Sequence, residues 1–460
     1  MNTKTDSKMT KEFWGLSIPI MIEFLVGFSV PAVDAFFLSK ISLEAALAVG
    51  AVLPILVFCD VFYGSLNSSA KALAAQALGS GDTALAKRIF NSTLLLVLLI
   101  SALQFLLFYF GSAYMVDLIG LPDNVASIAK QFLLLMGCGY GILGSRYLFQ
   151  VMNALYGIVK FNIGAAAIIL LVNIAGDAAV VYNLWGLGRF GVTGVACVSI
   201  LAVFSALVFL VVVQKIKLGF TIRLSWPSAD FGKIARLSTV VAVPSLLEPL
   251  SVQLFLMFVL SMVSAIGPAE LTMRVLGGNI LLLCIVPSLA FTVTSQILAG
   301  NYIGANSYQT VESLIYKALR YSVLIVVAMI LPIVLFGQQL LTLFTTDAAV
   351  LAIAVASLLP LALAEPVKAV NMVIGSNLKT AGDGMRPTVA GILITWAISA
   401  PLVYFFGPSA GFFALLWLLV LDESLKCGYN VWRWLHGAWR IKLIDSLSAP
   451  APEAAATNAA

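Results

Sequence analysis

The chain alternates between long apolar stretches and short segments that contain charged residues, Gly or Pro. Each apolar stretch has about 20 or more residues, the length of helix that crosses the roughly 30 Å hydrocarbon core of a bilayer. Backbone polar groups in that core must bond internally, so such stretches form helices. The pattern predicts twelve transmembrane helices, at residues 12–39, 45–78, 89–115, 125–156, 161–184, 191–214, 233–265, 268–299, 313–337, 349–378, 386–407 and 410–430.

Composition supports a protein embedded in lipid over a soluble one. Of 460 residues, 61% are hydrophobic and only 10% are charged, whereas soluble domains average about 25% charged residues. The single histidine excludes a multi-histidine metal site, and its place at His436, in a basic C-terminal segment, argues against a Ser-His-Asp hydrolase. The five cysteines lack paired spacing. We therefore predict an all-α polytopic membrane protein that is not an enzyme, has no cofactor or metal and binds no nucleic acid.

The distribution of Lys and Arg between alternate loops predicts the orientation. Cytoplasmic loops retain an excess of positive charge. Nineteen of these residues fall at the termini and in one set of loops, whereas the opposite loops hold only Lys40, Lys130, Arg189 and Arg274. Both termini are therefore predicted to be cytoplasmic, in a multi-pass protein of the cytoplasmic (inner) membrane.

The two halves of the chain repeat each other. The segment LSIPIMIE, with Pro19 and Glu23, returns as VAVPSLLE, with Pro244 and Glu248, after a shift of 225 residues. Because six spans is an even number, both halves start on the same side, which predicts a pseudo-twofold axis along the membrane normal. Two six-helix lobes of this kind are typical of an alternating-access transporter. The predicted parts are an N-terminal lobe (1–213), a cytoplasmic linker (214–236), a C-terminal lobe (237–430) and a cytoplasmic tail with a disordered end (431–460).

Ionisable side chains within spans are costly, so each is a candidate for function. Asp34 follows Pro31 in the first span, and proline leaves a carbonyl unpaired, which favours a kinked and hydrated helix. Asn173 and Asp177 lie four residues apart in the fifth span and therefore share a helical face. Asp34 and Asp177 together could hold a proton, and the same oxygen atoms could bind Na⁺ instead.

Other charged residues allow two interpretations each. Glu23 and its repeat partner Glu248 could act as a gate or a cation contact, or could bond local backbone. Glu365 and Lys368 lie three residues apart in the tenth span, where they could neutralise each other or contact substrate.

The remaining charges within spans are interpreted from their positions alone. Substrate contact and interhelical pairing are equally open for three of them: Asp60, Lys71 and Arg146. Three more, near the end of the twelfth span, indicate an interfacial charge cluster: Asp422, Glu423 and Lys426.

A resemblance to a known family covers about residues 10–442. It rests on six motifs that occur in order: PAVDAFFLSKIS, AAQALGSGDTALAKRI, VMNALYGIVKFN, LVNIAGD, NLKTAGDGMRP and LDESLKCGYNVWRWLHGAW. Their order and spacing resemble the multidrug and toxic compound extrusion (MATE) family, in its bacterial NorM-like and DinF-like range. The resemblance implies an antiporter that exports drugs, toxins or metabolites, amphiphilic or cationic, in exchange for inward H⁺ or Na⁺. We expect a monomer that binds a small-molecule substrate and membrane lipids.

The resemblance also implies roles for individual residues. Asp34 matches the family's first-helix cation aspartate, and Asn173 and Asp177 match its fifth-helix partners. Pro19 matches the proline at which the first helix is thought to bend in proton-coupled members. Two weaker matches, possible gate or substrate contacts, lie in the N-terminal lobe: Tyr140 and Asn153.

The C-terminal lobe departs from the family's sodium-coupled pattern. Glu248 lies too early in the seventh span, and Lys368 stands near the place in the tenth span where an acidic residue is expected. The departure favours H⁺ over Na⁺. An alternative function, a flippase of the same superfamily that moves a lipid-linked precursor, is disfavoured because such proteins often have fourteen spans and strongly cationic cavities. An uncoupled channel is disfavoured by the paired acidic motifs.

Overall fold

The computed structural model describes residues 3–219, 229–342 and 345–448. These residues form helices joined by short turns, and no strand occurs among them, so the all-α prediction is confirmed. Two parts of the predicted organisation lie outside the described residues: positions 220–228 of the linker and the tail end at 449–460.

The first half of the chain contains six long helices that match the first six predicted spans. They are α1 (Thr3–Ile41), α2 (Leu43–Gly79), α3 (Thr83–Ile119), α4 (Asp123–Leu155), α5 (Lys160–Val181) and α6 (Gly191–Leu218). A 3-10 segment, Leu184–Phe190, connects α5 to α6. Helix α1 continues through Pro19 and Pro31, as helices in membranes can when neighbouring groups bond the freed carbonyls.

The second half contains the helices that match the other six spans. They are α7 (Ala229–Ile266), α8 (Pro268–Gly304), α9 (Tyr308–Leu335), the short α10 (Gly337–Leu341), α11 (Ala348–Thr380), α12 (Met385–Leu393), α13 (Ala400–Leu435) and α14 (Asp445–Ser448). A π-helical segment, Ile394–Ser399, joins α12 to α13. Helix α13 is interrupted at Gly411, where φ is +85°, a conformation that glycine adopts readily. Gly411 thus separates the eleventh span from the twelfth.

Eleven helices of the described ranges are long and apolar enough to cross a membrane. The part of α13 after Gly411 is not among them, and it carries Asp422, Glu423 and Lys426. A span with three charges is compatible with a bilayer when the charges face the protein interior. With this segment, the helices account for all twelve predicted spans.

The helices cluster into two compact units. The first contains the chain up to Ala70 and from Phe90 to the end of α6, and the second contains Lys71–Ile89 together with α7 to α14. Each unit has its own apolar core, the first around Tyr140 and the second around Phe255. The segment 71–89, which the sequence analysis assigned to the N-terminal lobe, therefore clusters with the second unit.

Two glycines explain why the segment 71–89 packs in the second unit. A Cβ atom on Gly79 of α2 would overlap the Asn301 carbonyl of α8, and a Cβ on Gly304 of α8 would overlap the Gln76 carbonyl of α2. The backbones of α2 and α8 therefore approach more closely than any side chain allows. Small residues at helix interfaces have this effect in membrane proteins generally.

We expect Gly79→Ala to destabilise the protein, because its methyl group would collide with the Asn301 carbonyl. Overpacking of this kind costs about 1–3 kcal/mol. Gly64→Ala, on the same helix, is the matched control, since its methyl group would meet no atom within 4 Å. Thermal unfolding of both purified variants in one detergent measures the difference, and equal melting temperatures would contradict the close approach of α2 and α8.

The segment after α13 also packs on the second unit. Gln76 of α2 accepts a hydrogen bond from the Leu443 N–H (2.8 Å) and donates one to the Thr380 carbonyl (3.0 Å). The Trp439 side chain is 1% exposed and stacks on Trp434, with 4.2 Å between ring centroids. The first part of the predicted tail is thus folded, and it anchors the end of α13.

Candidate functional site

A pair of aspartates from α1 and α5 forms the first candidate site. Asp177 is fully buried and Asp34 is half-buried, and α1 packs against α5. The two carboxyl groups interact directly with each other. Oδ1 of Asp34 and both carboxylate oxygens of Asp177 are buried and accept no hydrogen bond from a protein donor. Because the contact joins two acceptors, it requires a proton or a cation to be stable.

Asn173 lies one turn before Asp177 on the same face of α5. It is 1% exposed, and its Oδ1 is buried without a hydrogen bond. The structure therefore brings together the three residues that the sequence predicted as the cation-coupling site. Their oxygen atoms could hold a proton between the carboxyl groups or ligate a hard cation, although the described residues contain no group of three or more His, Cys, Asp or Glu that could hold a metal ion.

A second polar cluster in the first unit surrounds Arg146 of α4. This side chain is 8% exposed, and its Nη1 donates to Gln150 Oε1 at 3.0 Å. Its acidic neighbours are Glu23 of α1 and Asp60 of α2. One cation thus compensates carboxyl groups from two other helices. Of the two interpretations of Asp60 and Arg146, this geometry favours interhelical pairing.

Asn153 joins three helices beside that cluster. It is fully buried, its Nδ2 donates to Asn162 Oδ1 of α5 (3.0 Å), and its Oδ1 accepts from Gln214 Nε2 of α6 (2.9 Å). Asn162 also donates to the Gln150 carbonyl (3.1 Å) and bonds the side chain of Glu23. The sequence analysis missed Asn162 and Gln214, whose only signal was an amide within an apolar span.

Two other predicted residues occupy structural positions in the first unit. Tyr140 is 2% exposed, stacks on Tyr63 with 5.6 Å between centroids, and donates its hydroxyl to the Leu56 carbonyl (2.8 Å). Its polar atom is therefore bonded to α2 within the core. Pro19 lies inside α1, one turn before Glu23.

The second unit contains a cavity of about 420 Å³ between α7, α8, α11, α12 and α13. Apolar side chains such as Phe255, Leu281 and Leu416 form much of its wall. The sequence analysis did not predict this cavity. It is lined by seven charged residues: Glu248, Arg274, Glu365, Lys368, Asp422, Glu423 and Lys426.

Two ion pairs lie within the cavity wall. Lys368 Nζ is 2.6 Å from Glu365 Oε1, the pairing that their spacing predicts, and Lys426 Nζ is 2.5 Å from Asp422 Oδ2. Asp422 is only 3% exposed. These charges therefore lie within the packed second unit, where α13 contacts α7 and α11, and their assignment to the membrane interface stays a prediction.

Amide and hydroxyl groups hold the acidic side chains of α13 in place. Asn371 Nδ2 donates to Glu423 Oε1 (2.7 Å), and Asn430 Nδ2 donates to Asn371 Oδ1 (2.6 Å). The Thr395 hydroxyl donates to Asp422 Oδ1 (3.1 Å). The two carboxylates are thus fixed by residues of α11, α13 and the π-helical segment.

Glu248 stands at the edge of the same cavity. Its Oε2 is 2.5 Å from Lys379 Nζ, and Lys71, which is 7% exposed, is a further cationic neighbour of Lys379. Its repeat partner Glu23 has Arg146 as its cationic neighbour. Each of the two repeated glutamates therefore lies beside a cation of its own unit.

Arg274 is a charged residue whose position the sequence analysis did not predict correctly. Loop counting put it in an external loop, but it lies in the second turn of α8 and lines the cavity. The reason is that Gly267 alone separates α7 from α8, so no loop is long enough to hold it. The predicted span 268–299 already contained Arg274, so the sequence did indicate that this residue lies in a helix.

Comparison with known proteins supports the duplication and the fold. A family model described as MatE matches residues 19–178 and 244–405. The two matched segments begin at the repeated prolines, Pro19 and Pro244, and so 225 residues apart.

Individual relatives cover almost the whole chain. YisQ, an uncharacterized transporter of Bacillus subtilis, is 26% identical over 442 residues, which are 95% of this chain and 96% of YisQ. YoeA, a probable multidrug resistance protein of the same organism, is 22% identical over 79% of each chain. A mutant of the Vibrio cholerae MATE transporter VcmN shares the fold, with a TM-score of 0.88 at 17% identity over 96% of this chain and 99% of that one. Since the family model matches more than half of the sequence, this protein belongs to the MatE family of membrane transporters.

Proposed function

We propose that the protein is a secondary active antiporter of the cytoplasmic membrane. It exports amphiphilic or cationic drugs, toxins or metabolites in exchange for H⁺, by alternating access between two six-helix lobes, as a monomer with both termini in the cytoplasm. The observation that carries this proposal is the contact between the half-buried Asp34 and the buried Asp177, in which three carboxylate oxygens are buried without a protein donor. The relative named as a multidrug resistance protein supports a drug-like cargo.

The pair couples a proton to the packing of α1 on α5. With one proton, one carboxyl group donates a hydrogen bond to the other and the two helices stay together. Without it, the two carboxylates repel each other; as a general scale, two like unit charges at about 4 Å repel by about 4 kcal/mol at an effective dielectric constant of about 20. The ionised pair therefore favours separation of the helices or the approach of a cationic cargo.

Export follows from competition at this site. Protonation from the outer side removes the preference for cationic cargo, so the cargo leaves, and proton release to the cytoplasm restores the preference. Each ligand shifts the balance of conformations only by its different affinity for them. Asn173, one turn away, supplies a further oxygen to the same site.

The test is efflux of ethidium from proteoliposomes under a pH gradient or a Na⁺ gradient imposed separately. We expect export under the pH gradient, loss of export when an ionophore collapses that gradient, and no export under Na⁺ alone. Protein-free liposomes are the control for leakage. Export under the Na⁺ gradient alone would replace H⁺ by Na⁺ as the coupling ion, and no export under either gradient would contradict the antiporter proposal.

A further inference from the structure

The cavity of the second unit is balanced in charge. A site for organic cations is expected to carry an excess of acidic groups, and a site for anions an excess of basic groups. Here Glu248 is offset by Lys379 from outside the wall, at 2.5 Å. The other six charged residues of the wall are three acids and three cations: Glu365, Asp422, Glu423, Arg274, Lys368 and Lys426.

Two groups of opposite charge in this wall have bonding capacity that the protein leaves unused. Glu365 is the acidic neighbour of Arg274, but Arg274 Nε is buried and donates no hydrogen bond to a described residue. Glu423 forms no ion pair within residues 3–219, 229–342 and 345–448, and it accepts a hydrogen bond from the neutral Asn371 amide. The cavity therefore offers a guanidinium donor on α8 and a carboxylate on α13 to a bound molecule.

A ligand with charge of one sign would match only half of this wall. A cation would gain Glu423 but would leave Arg274 Nε buried without an acceptor, and an anion would gain Arg274 but would meet the carboxylates. A buried donor that has no hydrogen bond costs free energy, and so does a carboxylate that faces an anion. A ligand that carries one positive and one negative charge can bond both Glu423 and Arg274, and it leaves the net charge of the cavity unchanged.

The cationic side of the wall suits an oxyanion. The planar guanidinium of Arg274 can donate two parallel hydrogen bonds to a carboxylate or phosphate. The Lys368 side chain is 37% exposed whereas that of its partner Glu365 is 6% exposed, so the ammonium group can reach the ligand without leaving the pair.

We propose that this cavity binds a zwitterionic amphiphile, a molecule with an apolar body that carries one oxyanion and one cationic group. The oxyanion lies at Arg274 and Lys368, the cationic group lies at Glu423, and the apolar body contacts Phe255, Leu281 and their neighbours. The volume of about 420 Å³ is in the range of cavities that hold drug-sized ligands. Only the identification of this ligand as cargo rests on the proposed antiport.

The test uses three dyes of similar size that differ in charge. Tetramethylrhodamine is a zwitterion at neutral pH, its methyl ester is a cation, and fluorescein is an anion. Their binding to the full chain in phosphatidylcholine nanodiscs is measured by fluorescence anisotropy, with protein-free nanodiscs subtracted. We expect the zwitterion to bind about tenfold more tightly than either of the others. Equal or tighter binding of the methyl ester would overturn the proposal.

Substitution of Arg274 tests whether this residue causes the preference of the cavity for the zwitterion. We expect Arg274→Gln to weaken binding of the zwitterion about tenfold and to leave binding of the cationic methyl ester no weaker than before. Arg189→Gln, at an exposed position of the first unit, is the matched control. Unchanged affinity for the zwitterion in a folded Arg274→Gln protein would overturn the proposal.

A second variant probes the cavity from the acidic side. Glu423→Gln keeps the side-chain volume. We expect it to weaken binding of the zwitterion and of the methyl ester alike, and to leave binding of fluorescein no weaker than before. Equal zwitterion affinity in Glu423→Gln and wild type would contradict the assigned position of the cationic group, so the proposal remains testable if the arginine variant does not fold.

The outcomes separate this inference from the proposed antiport. Ethidium export driven by a gradient, without preference for the zwitterion, would overturn the inference and leave the antiport intact. A preference for the zwitterion in a protein that exports no dye under either gradient would contradict the antiport and leave the binding site standing.

Discussion

Asp34→Asn is expected to abolish most of the export driven by a pH gradient while the protein remains folded. In the wild type, the contact with Asp177 needs a proton because both partners are acceptors. The asparagine amide can donate that hydrogen bond permanently, so the contact between α1 and α5 no longer depends on pH. Coupling free energies are typically about 1–3 kcal/mol, which corresponds to a change of roughly 5- to 150-fold. We expect the rate of export to decrease by a factor in that range.

The measurement is initial efflux of ethidium from proteoliposomes under a fixed pH gradient. Asp117→Asn is the matched control, because Asp117 is exposed near the end of α3. Asp177→Asn is expected to reproduce the Asp34 phenotype, and the double variant should be no worse than either single one. Full export by Asp34→Asn would show that the carboxyl pair does not couple the proton.

Lys426→Met is expected to produce the largest loss of stability. It removes the cation from an ion pair whose side chains are 11% and 5% exposed, and it leaves the Asp422 carboxylate buried. Breaking a buried pair by removing one partner costs about 3–5 kcal/mol. The effect is measured as the shift in the denaturant midpoint of the purified protein in one detergent.

Lys426→Met leaves the Asp422 carboxylate unpaired and also removes methylene groups and a contact. Two further variants distinguish these effects on stability. Asp422→Asn combined with Lys426→Met should recover most of the stability, since replacing both charges of a buried pair is often neutral. Lys8→Met is the surface control, because Lys8 is 79% exposed and 3.9 Å from Glu12, and such pairs contribute about 0–1 kcal/mol. Equal losses in Lys426→Met and Lys8→Met would contradict the buried ion pair.

The first candidate site could be predicted from the sequence because its geometry is partly local. Asn173 and Asp177 are four residues apart, so any helix puts them on one face. Asp34 was expected beside them through the family resemblance, and the packing of α1 on α5 places it there. Local spacing could not indicate that the two carboxyl groups touch.

The second candidate site could not be predicted in the same way. Its charged residues come from α7, α8, α11 and α13, and their arrangement depends on how far each helix is rotated about its own axis. Hydropathy gives the length of a helix but not that rotation. The sequence therefore did not show that Asp422 faces a cavity, and Arg274 was expected in a loop, although it lies in α8.

The sequence by itself determined the helical class, the twelve spans, the repeat at 225 residues and the acidic groups of α1 and α5, because each depends on composition or on spacing within one helix. The tertiary structure alone decided which charges pair, where a cavity opens and where α2 touches α8. These features depend on contacts between distant segments, which are set by close packing of whole helix faces and not by any local pattern.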